Sequence, residues 1–410
     1  MASLDRLDAR APVSAPAMPW EEARAVARAA AGQPLPAVSR GLSEALGHAL
    51  AEPLTALTDL PPFDTAAMDG WAVAGPGPWR PHDGGILAGE RPGPLDHGAA
   101  VPIATGASLP PGATAVLRRE HGERTAADGL LRHRSPDPVA SGRDIRPRGQ
   151  ECRAGETLLP AGTTVTPAVL GLAAAAGYDR LAVHSRPTVE LLLLGDELLD
   201  FGLPGDGRVR DALGPLLPPW LGRFGAEATG VRRMADALGP LSEAVRHSTA
   251  DVLVTTGSTA DGPVDFLHLA LARAGGRLLV DSVAVRPGHP MLLAELPPVA
   301  GGRPRLLVGL PGNPLAAVAG TVTLAAPLLH RLGGHTDRAP RRAEAAAPLP
   351  GHARDTRLLP VRLIEGTAVP LAFDGPAMLR GLALADGLAV VPPGGLAEGS
   401  ATEVLEAPGR

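Results

Sequence analysis

Lysine is missing from this chain altogether: its 38 Lys+Arg residues are all arginine. That absence excludes a phosphate loop built on a lysine, a Schiff base and a lysine general base. Asparagine is nearly as rare, with Asn313 its one occurrence. A single cysteine, Cys152, permits neither an internal disulfide nor a cysteine zinc cluster, and reads as an ordinary thiol. There is no HExxH, and the 12 histidines are dispersed, which argues against a zinc hydrolase. Long apolar runs are lacking too. No window approaches the ~18 uninterrupted apolar residues of a membrane span. The opening MASLDRLDARAPVSAPAMPW carries acidic residues and no apolar h-region, so no signal peptide is expected. Arginine is scattered and the formal charge is −5, which argues against nucleic acid as a partner. A soluble, cytoplasmic protein is the expectation.

What is present is an ordinary globular composition, 45% apolar and 20% charged, over 410 residues. Two helical patterns, PWEEARAVARAA and SRGLSEALGHAL, lie between Pro19 and Leu50. From Pro53 to about Gln150 short apolar runs are cut by Pro and Gly, the texture of an all-β insert. Helical texture returns at 166–177, with Thr166 as N-cap and Pro167 at the first helical position. From Pro187 strands alternate with helices: 189–195, 226–233, 251–257, 277–285 and 305–310 read as strands of a doubly wound parallel α/β sheet. After a Pro- and Arg-rich linker beyond Gly334, TRLLPVRLIEG, AVPLAF, GLAVVPPG and ATEVLEA read as the short strands of a small barrel or sandwich.

Ligands of open α/β sheets bind outside the carboxyl ends of the strands. Three loops fall at such ends: GDELLD with Asp196 and Glu197, TTGSTADGPVD with Gly257, Ser258, Thr259 and Asp265, and LPGNP with Pro311, Gly312, Asn313 and Pro314. Backbone N–H groups at helix starts suit a phosphate or oxyanion, and carboxylates suit a bridging divalent cation. Each feature has a plainer explanation. Asp and Glu are common helix starters, and Asn-Pro after Gly suits a tight turn. Their joint placement is what favours a ligand site.

The motifs then become specific. PPFDTAAMDGWAV (61–73), IATGASLPPGATAVLRRE (103–120), DIRPRGQECRAGETLLPAGTTVTP (144–167), LGDEL (194–198), TTGSTADGPVDF (255–266), RPGHP (286–290) and GLPGNPLAA (309–317) stand in one order. In that order the chain resembles the molybdopterin molybdenumtransferase family, which also includes the C-terminal half of gephyrin. The resemblance runs from about residue 19 to the C-terminus. It implies an elongated helical domain (18–53 with 151–185), a β-rich insert (54–150), an α/β molybdopterin-binding domain (186–334) and a C-terminal β-barrel (340–410). It also implies a homodimer whose cleft is shared between subunits, and contact with other molybdenum cofactor synthesis proteins. The reaction implied is ligation of molybdate to the dithiolene of adenylylated molybdopterin, with Mg²⁺ and release of AMP. Matched residue by residue, Asp69, Thr105, Glu197 and Asp265 would be catalytic. Asp69, Glu197 and Asp265 would hold the metal. Gly257, Ser258, Thr259, Arg286, Pro311, Gly312, Asn313 and Pro314 would bind the ligand. Thr105 and backbone N–H groups would donate to oxyanion oxygens. The nucleophiles are the ligand's own sulfurs, so no catalytic triad is expected.

Several positions depart from the family pattern. Its Ser-Gly-Gly-Val-Ser loop is Thr256-Gly257-Ser258-Thr259-Ala260 here, which puts a Cβ where backbone approaches the ligand. Its Lys-Pro-Gly-Lys-Pro is Arg286-Pro287-Gly288-His289-Pro290, and Ser282 stands where many members carry another lysine. A charge-assisted hydrogen bond contributes roughly 1.5–3 kcal/mol, so the alternative expectation is a weakened or inactive paralogue that binds a pterin or serves as a scaffold.

Overall fold

Three consecutive parallel pairings align one end of the central sheet. The structure, a computed structural model, describes residues 16–259, 266–299, 302–337 and 339–409. Within these, the chain divides into two compact units, Met1–Val38 with Gly47–Ala51 and Val183–Arg410, and Ser39–Leu46 with Glu52–Ala182.

The second unit holds the insert. Strands β1 (Gly70–Val73), β2 (Arg80–Pro81), β3 (Ala99–Ile103) and β4 (Ala115–Arg118) form one sheet in the order β2-β3-β1-β4. Helix α2 (Pro167–Ala175) follows later in the chain, capped as expected by Thr166, whose hydroxyl accepts from the Val169 N–H. The helical pattern SRGLSEALGHAL does not hold: 37–41 is extended and only Leu42–Glu44 makes a 3₁₀ turn. Arg180 competes for this backbone, donating to both the hydroxyl and the carbonyl of Ser39, and Gly47 takes φ +80°.

In the first unit, helix α1 (Trp20–Ala30) buries Trp20, Ala23 and Ala27 against the α/β core, so 16–38 belongs with that core. Strands β5 (Thr188–Leu194), β6 (Glu227–Met234), β7 (Val252–Thr256), β8 (Arg277–Val280), β9 (Val285–Arg286), β10 (Leu292–Leu296) and β11 (Arg305–Leu310) come next. Six of them form a sheet in the order β6-β5-β7-β11-β10-β8. Leu194 lies opposite Met234, Leu193 opposite Thr256, and Thr256 opposite Leu310. Both faces of β5, β7 and β11 are covered, which is why these strands are continuous apolar runs, whereas the edge strand β6 is largely exposed. Leu191 and Leu193 face one core; Leu192 and Leu194 face the other. The second core is closed by α4 (Leu238–His247) and α5 (Phe266–Arg273), and the first by α1 and α3 (Leu213–Arg223). One strand was not foreseen. β10 runs antiparallel between β11 and β8, and the stretch expected as a single strand over 277–285 is split into β8 and β9.

After β11 one apolar helical run of 19 residues extends from Pro314 to Leu332. It comprises α6 (Pro314–Gly320), a π-turn (Thr321–Ala325) and α7 (Ala326–Leu332). By length and composition it could cross a membrane, but most of it is buried inside the fold as a core helix. The C-terminal part is a closed five-stranded barrel of β12 (Arg341–Ala345), β13 (Thr356–Ile364), β14 (Thr367–Pro370), β15 (Gly387–Val391) and β16 (Ala401–Leu405). The ring runs β13-β14-β12-β16-β15 and closes through β15 on β13. β9, from the α/β stretch, pairs with the outer side of β13.

Candidate functional site

Three strand-end loops meet at the aligned end of the sheet. The Gly257 N–H donates to the Leu310 carbonyl at 2.9 Å, tying the loop after β7 to the turn after β11. A Cβ on Gly312 would stand 3.6 Å from the Gly257 Cα, and one on Gly257, at φ +90°, would stand 3.2 Å from the Leu194 carbonyl oxygen. After β5 the Glu197 carboxylate folds back over the chain: a Cβ on Gly195 would lie 2.7 Å from its Oε2. Glu197 is exposed, and its carbonyl accepts from the Val209 N–H at 2.9 Å. Gly312 and Asn313 are exposed, while Pro311 and Thr259 are buried.

Ser258 sits at φ +51°, in left-handed backbone that costs a residue with a Cβ on the order of 1–2 kcal/mol. Its hydroxyl donates to Asp236 Oδ1 at 3.2 Å. Asp236 follows β6 and brings a further carboxylate to this end of the sheet. Sequence reasoning missed it, although its place just past a strand was a usable signal.

The RPGHP segment joins the same cluster. A Cβ on Gly288 would stand 3.0 Å from the Ala316 carbonyl oxygen, so this loop lies directly against α6. Arg286 is exposed, yet its Nε donates to the buried Asp355 carboxylate at 2.7 Å. One guanidinium edge is therefore spent on the barrel, and an oxyanion has only the remaining N–H groups to use. The buried Nδ1 of His289 finds no partner among the described residues.

The helix start after LPGNP differs from expectation. Pro314 has no N–H, and the next two, on Leu315 and Ala316, both donate to the Pro376 carbonyl at 2.9 and 3.2 Å. Asn313 makes no side-chain cap; its carbonyl accepts from the Ala317 N–H at 2.8 Å. A loop of the barrel thus caps this helix in place of an anion. No sequence pattern announces a backbone carbonyl as a partner.

In the other unit, Asp69 and Thr105 come together. The Thr105 N–H and hydroxyl donate to Asp69 Oδ1 at 2.7 and 2.8 Å. These bonds, the backbone one first, hold the exposed carboxyl below the usual carboxylate range, with a smaller push from Arg119. The hydroxyl proton expected to serve an oxyanion is thereby donated to Asp69. Gly70 follows because nothing larger fits: a Cβ there would stand 2.0 Å from the Leu117 carbonyl oxygen. Asp265 lies outside the described residues. Among those described, no three His, Cys, Asp or Glu side chains are grouped to hold a metal ion.

Three family models match in order: the MoeA N-terminal region (domain I and II) over 18–177, a probable molybdopterin binding domain over 190–331, and the MoeA C-terminal region (domain IV) over 342–406. A molybdopterin molybdenumtransferase of Synechococcus elongatus is 33% identical over 296 residues, covering 68% of this chain and 72% of that one. The chain belongs to the molybdopterin molybdenumtransferase family. A Staphylococcus aureus protein of the same name is 28% identical over 319 residues, covering 73% of this chain and 72% of its own. Among solved structures, a MoeA molybdopterin biosynthesis protein from Pyrococcus horikoshii superposes with a TM-score of 0.72 at 26% identity, covering 95% of this chain and 99% of that one. The family's multidomain α/β architecture with a terminal barrel is the fold described above. Ser258 is accommodated by a left-handed backbone and a bond to Asp236.

Proposed function

We propose that this chain is a molybdopterin molybdenumtransferase, joining molybdate to the dithiolene of adenylylated molybdopterin with release of AMP. The observation that carries the reading is the meeting of the Glu197, Gly257–Ser258 and Pro311–Pro314 loops at one end of the sheet, in a chain of this family. Gly257 and Gly312 leave room for a ligand to approach the backbone, since neither presents a side chain. Exposed Asn313 supplies amide donors and an acceptor, and the outward edge of Arg286 supplies charge for a phosphate or oxoanion. Ser258 and Thr259 complete this wall. The substrate brings its own sulfur nucleophiles, so these residues bind and orient rather than attack. The carboxylates of Glu197 and Asp69 would repel a free oxoanion until a cation offsets them. Mg²⁺ is part of the same reading, with Glu197, Asp69 and Asp265 as its proposed ligands. The reading also includes a cytoplasmic homodimer, in which the Asp69–Thr105 pair serves the site of a second copy.

The test is AMP release from adenylylated molybdopterin with molybdate and Mg²⁺. Wild type should turn over, and Glu197→Gln should lose about tenfold or more, the scale of one charge-assisted contact. Tight binding without any AMP at millimolar molybdate would sink the enzyme reading.

A further inference from the structure

The helical run that starts at the LPGNP turn is interrupted by its π-turn. The Ala326 N–H reaches back five residues to the Thr321 carbonyl. A π-turn amounts to one residue inserted into an α-helix, and one residue turns everything on one side of it by about 100° relative to the other. On the far side, α7 is fixed in the core by Leu328, Leu329 and Leu332. On the near side, α6 carries Pro311–Pro314. The rotational setting of that turn against the core therefore depends on whether the π-turn is kept.

Helix α1 holds it at two points. Arg24 Nη1 donates to the Val322 carbonyl at 2.5 Å, and Trp20 Nε1 donates to Thr323 Oγ1 at 3.0 Å. The Arg24 guanidinium lies 4.9 Å from the centre of the Trp20 ring, so one side chain steadies the other. Thr321 and Thr323 pass their own hydroxyl protons to the Ala317 and Ala319 carbonyls at 2.9 and 2.7 Å. Val322 and Thr323 are buried, and a buried carbonyl without a donor is costly. The arginine therefore answers a demand that an unbroken α-helix would not make.

We infer that Trp20 and Arg24 are positioning residues for the ligand site: by holding the π-turn of Thr321–Ala325, they fix the orientation of the Pro311–Pro314 turn. Neither residue is among those proposed to touch the ligand, and the inference rests on the proposed function only in assigning the ligand to that turn. In the full chain, Arg24→Met should speed amide hydrogen exchange across 310–320 by about tenfold, the scale of a lost charged hydrogen bond, and leave 188–194 and 252–256 unchanged. The KM for adenylylated molybdopterin should rise by a similar factor of about ten with kcat within about twofold. Arg24→Lys, which restores a cationic donor, should recover most of the protection. Should Arg24→Met fail to fold, Thr323→Val nearly keeps volume while removing the bond from Trp20 and the threonine's own bond to Ala319, and the same local exchange signature is required of it. A lowered Tm with unchanged exchange across 310–320 and unchanged KM would overturn the inference. Absence of AMP release by wild type would count against the proposed function instead, and the exchange measurement would still decide this one.

Discussion

At the scale of single residues, Asp69 gives the clearest titration. Its folded pKa lies below the ordinary value of 3.8, and the causes are the two bonds from Thr105. A carboxyl depressed in this way contributes stability that is present above its unfolded pKa and is lost as pH falls through the folded one. Thr105→Val removes the hydroxyl bond and keeps the backbone N–H bond, which is the larger cause. The Asp69 midpoint, followed by carbon-13 NMR between pH 1 and 6, should therefore rise part of the way towards 3.8. An unmoved midpoint would mean the hydroxyl is not donated to the carboxylate. Single residues also show where reading a sequence runs out. That Glu197, Gly257 and Gly312 share one end of the sheet was legible, because each stands in a loop just past a strand. The partners of Arg286 and Thr105 were not: Asp355 lies 69 positions from Arg286 and Asp69 lies 36 from Thr105. Pairings at that distance along the chain depend on the whole fold.

At the scale of elements, one carboxylate organises the approach to Glu197. Buried Asp211 accepts from the N–H groups of Leu213 and Gly214, both at 2.9 Å, at the start of α3. Its other oxygen receives Arg233 Nη2 from β6 at 2.7 Å, and Arg233 also pairs with Asp200. Gly214 is required beside it, since a Cβ there would lie 2.2 Å from Asp211 Oδ2. Losing the cap and leaving Arg233 short of a partner should make Asp211→Ala destabilising by about 2–3 kcal/mol. Asp211→Asn, which keeps an oxygen for the helix, should cost about half as much. Urea unfolding measures both, and equal losses would assign the effect to charge alone. Elements were the most legible level. Buried parallel strands are unmistakable as apolar runs, and Thr166-Pro167 announced its helix. β10, whose apolar run follows Pro290 and directly precedes Pro297 and Pro298, was missed. The pattern SRGLSEALGHAL failed because a helical period is only a local preference, and pairing elsewhere outweighed it.

At the scale of the whole molecule, the proposed homodimer should sediment at twice the 41.7 kDa of one chain. A stable monomer at micromolar concentration would argue against any cleft shared between copies. The order of β-rich insert, α/β sheet and barrel was readable from the texture of the sequence, because each architecture has its own period. The way its parts are joined was not. Between the α/β sheet and the barrel the joints include β9 on β13, with Val285 opposite Thr356, the Pro376 carbonyl on the start of α6, and a shared apolar core that takes in Leu358, Leu382, Leu388 and Ala407. A barrel attached in this manner is no removable cassette. A chain ended after Gly334 would keep every strand of the central sheet, yet it would uncover two helix N–H groups beside the proposed ligand loops and strip Arg286 of its carboxylate. Loss of the last seventy or so residues would thus be felt both at the proposed ligand loops and as a main core laid open where Leu358, Leu382 and Leu388 had covered it.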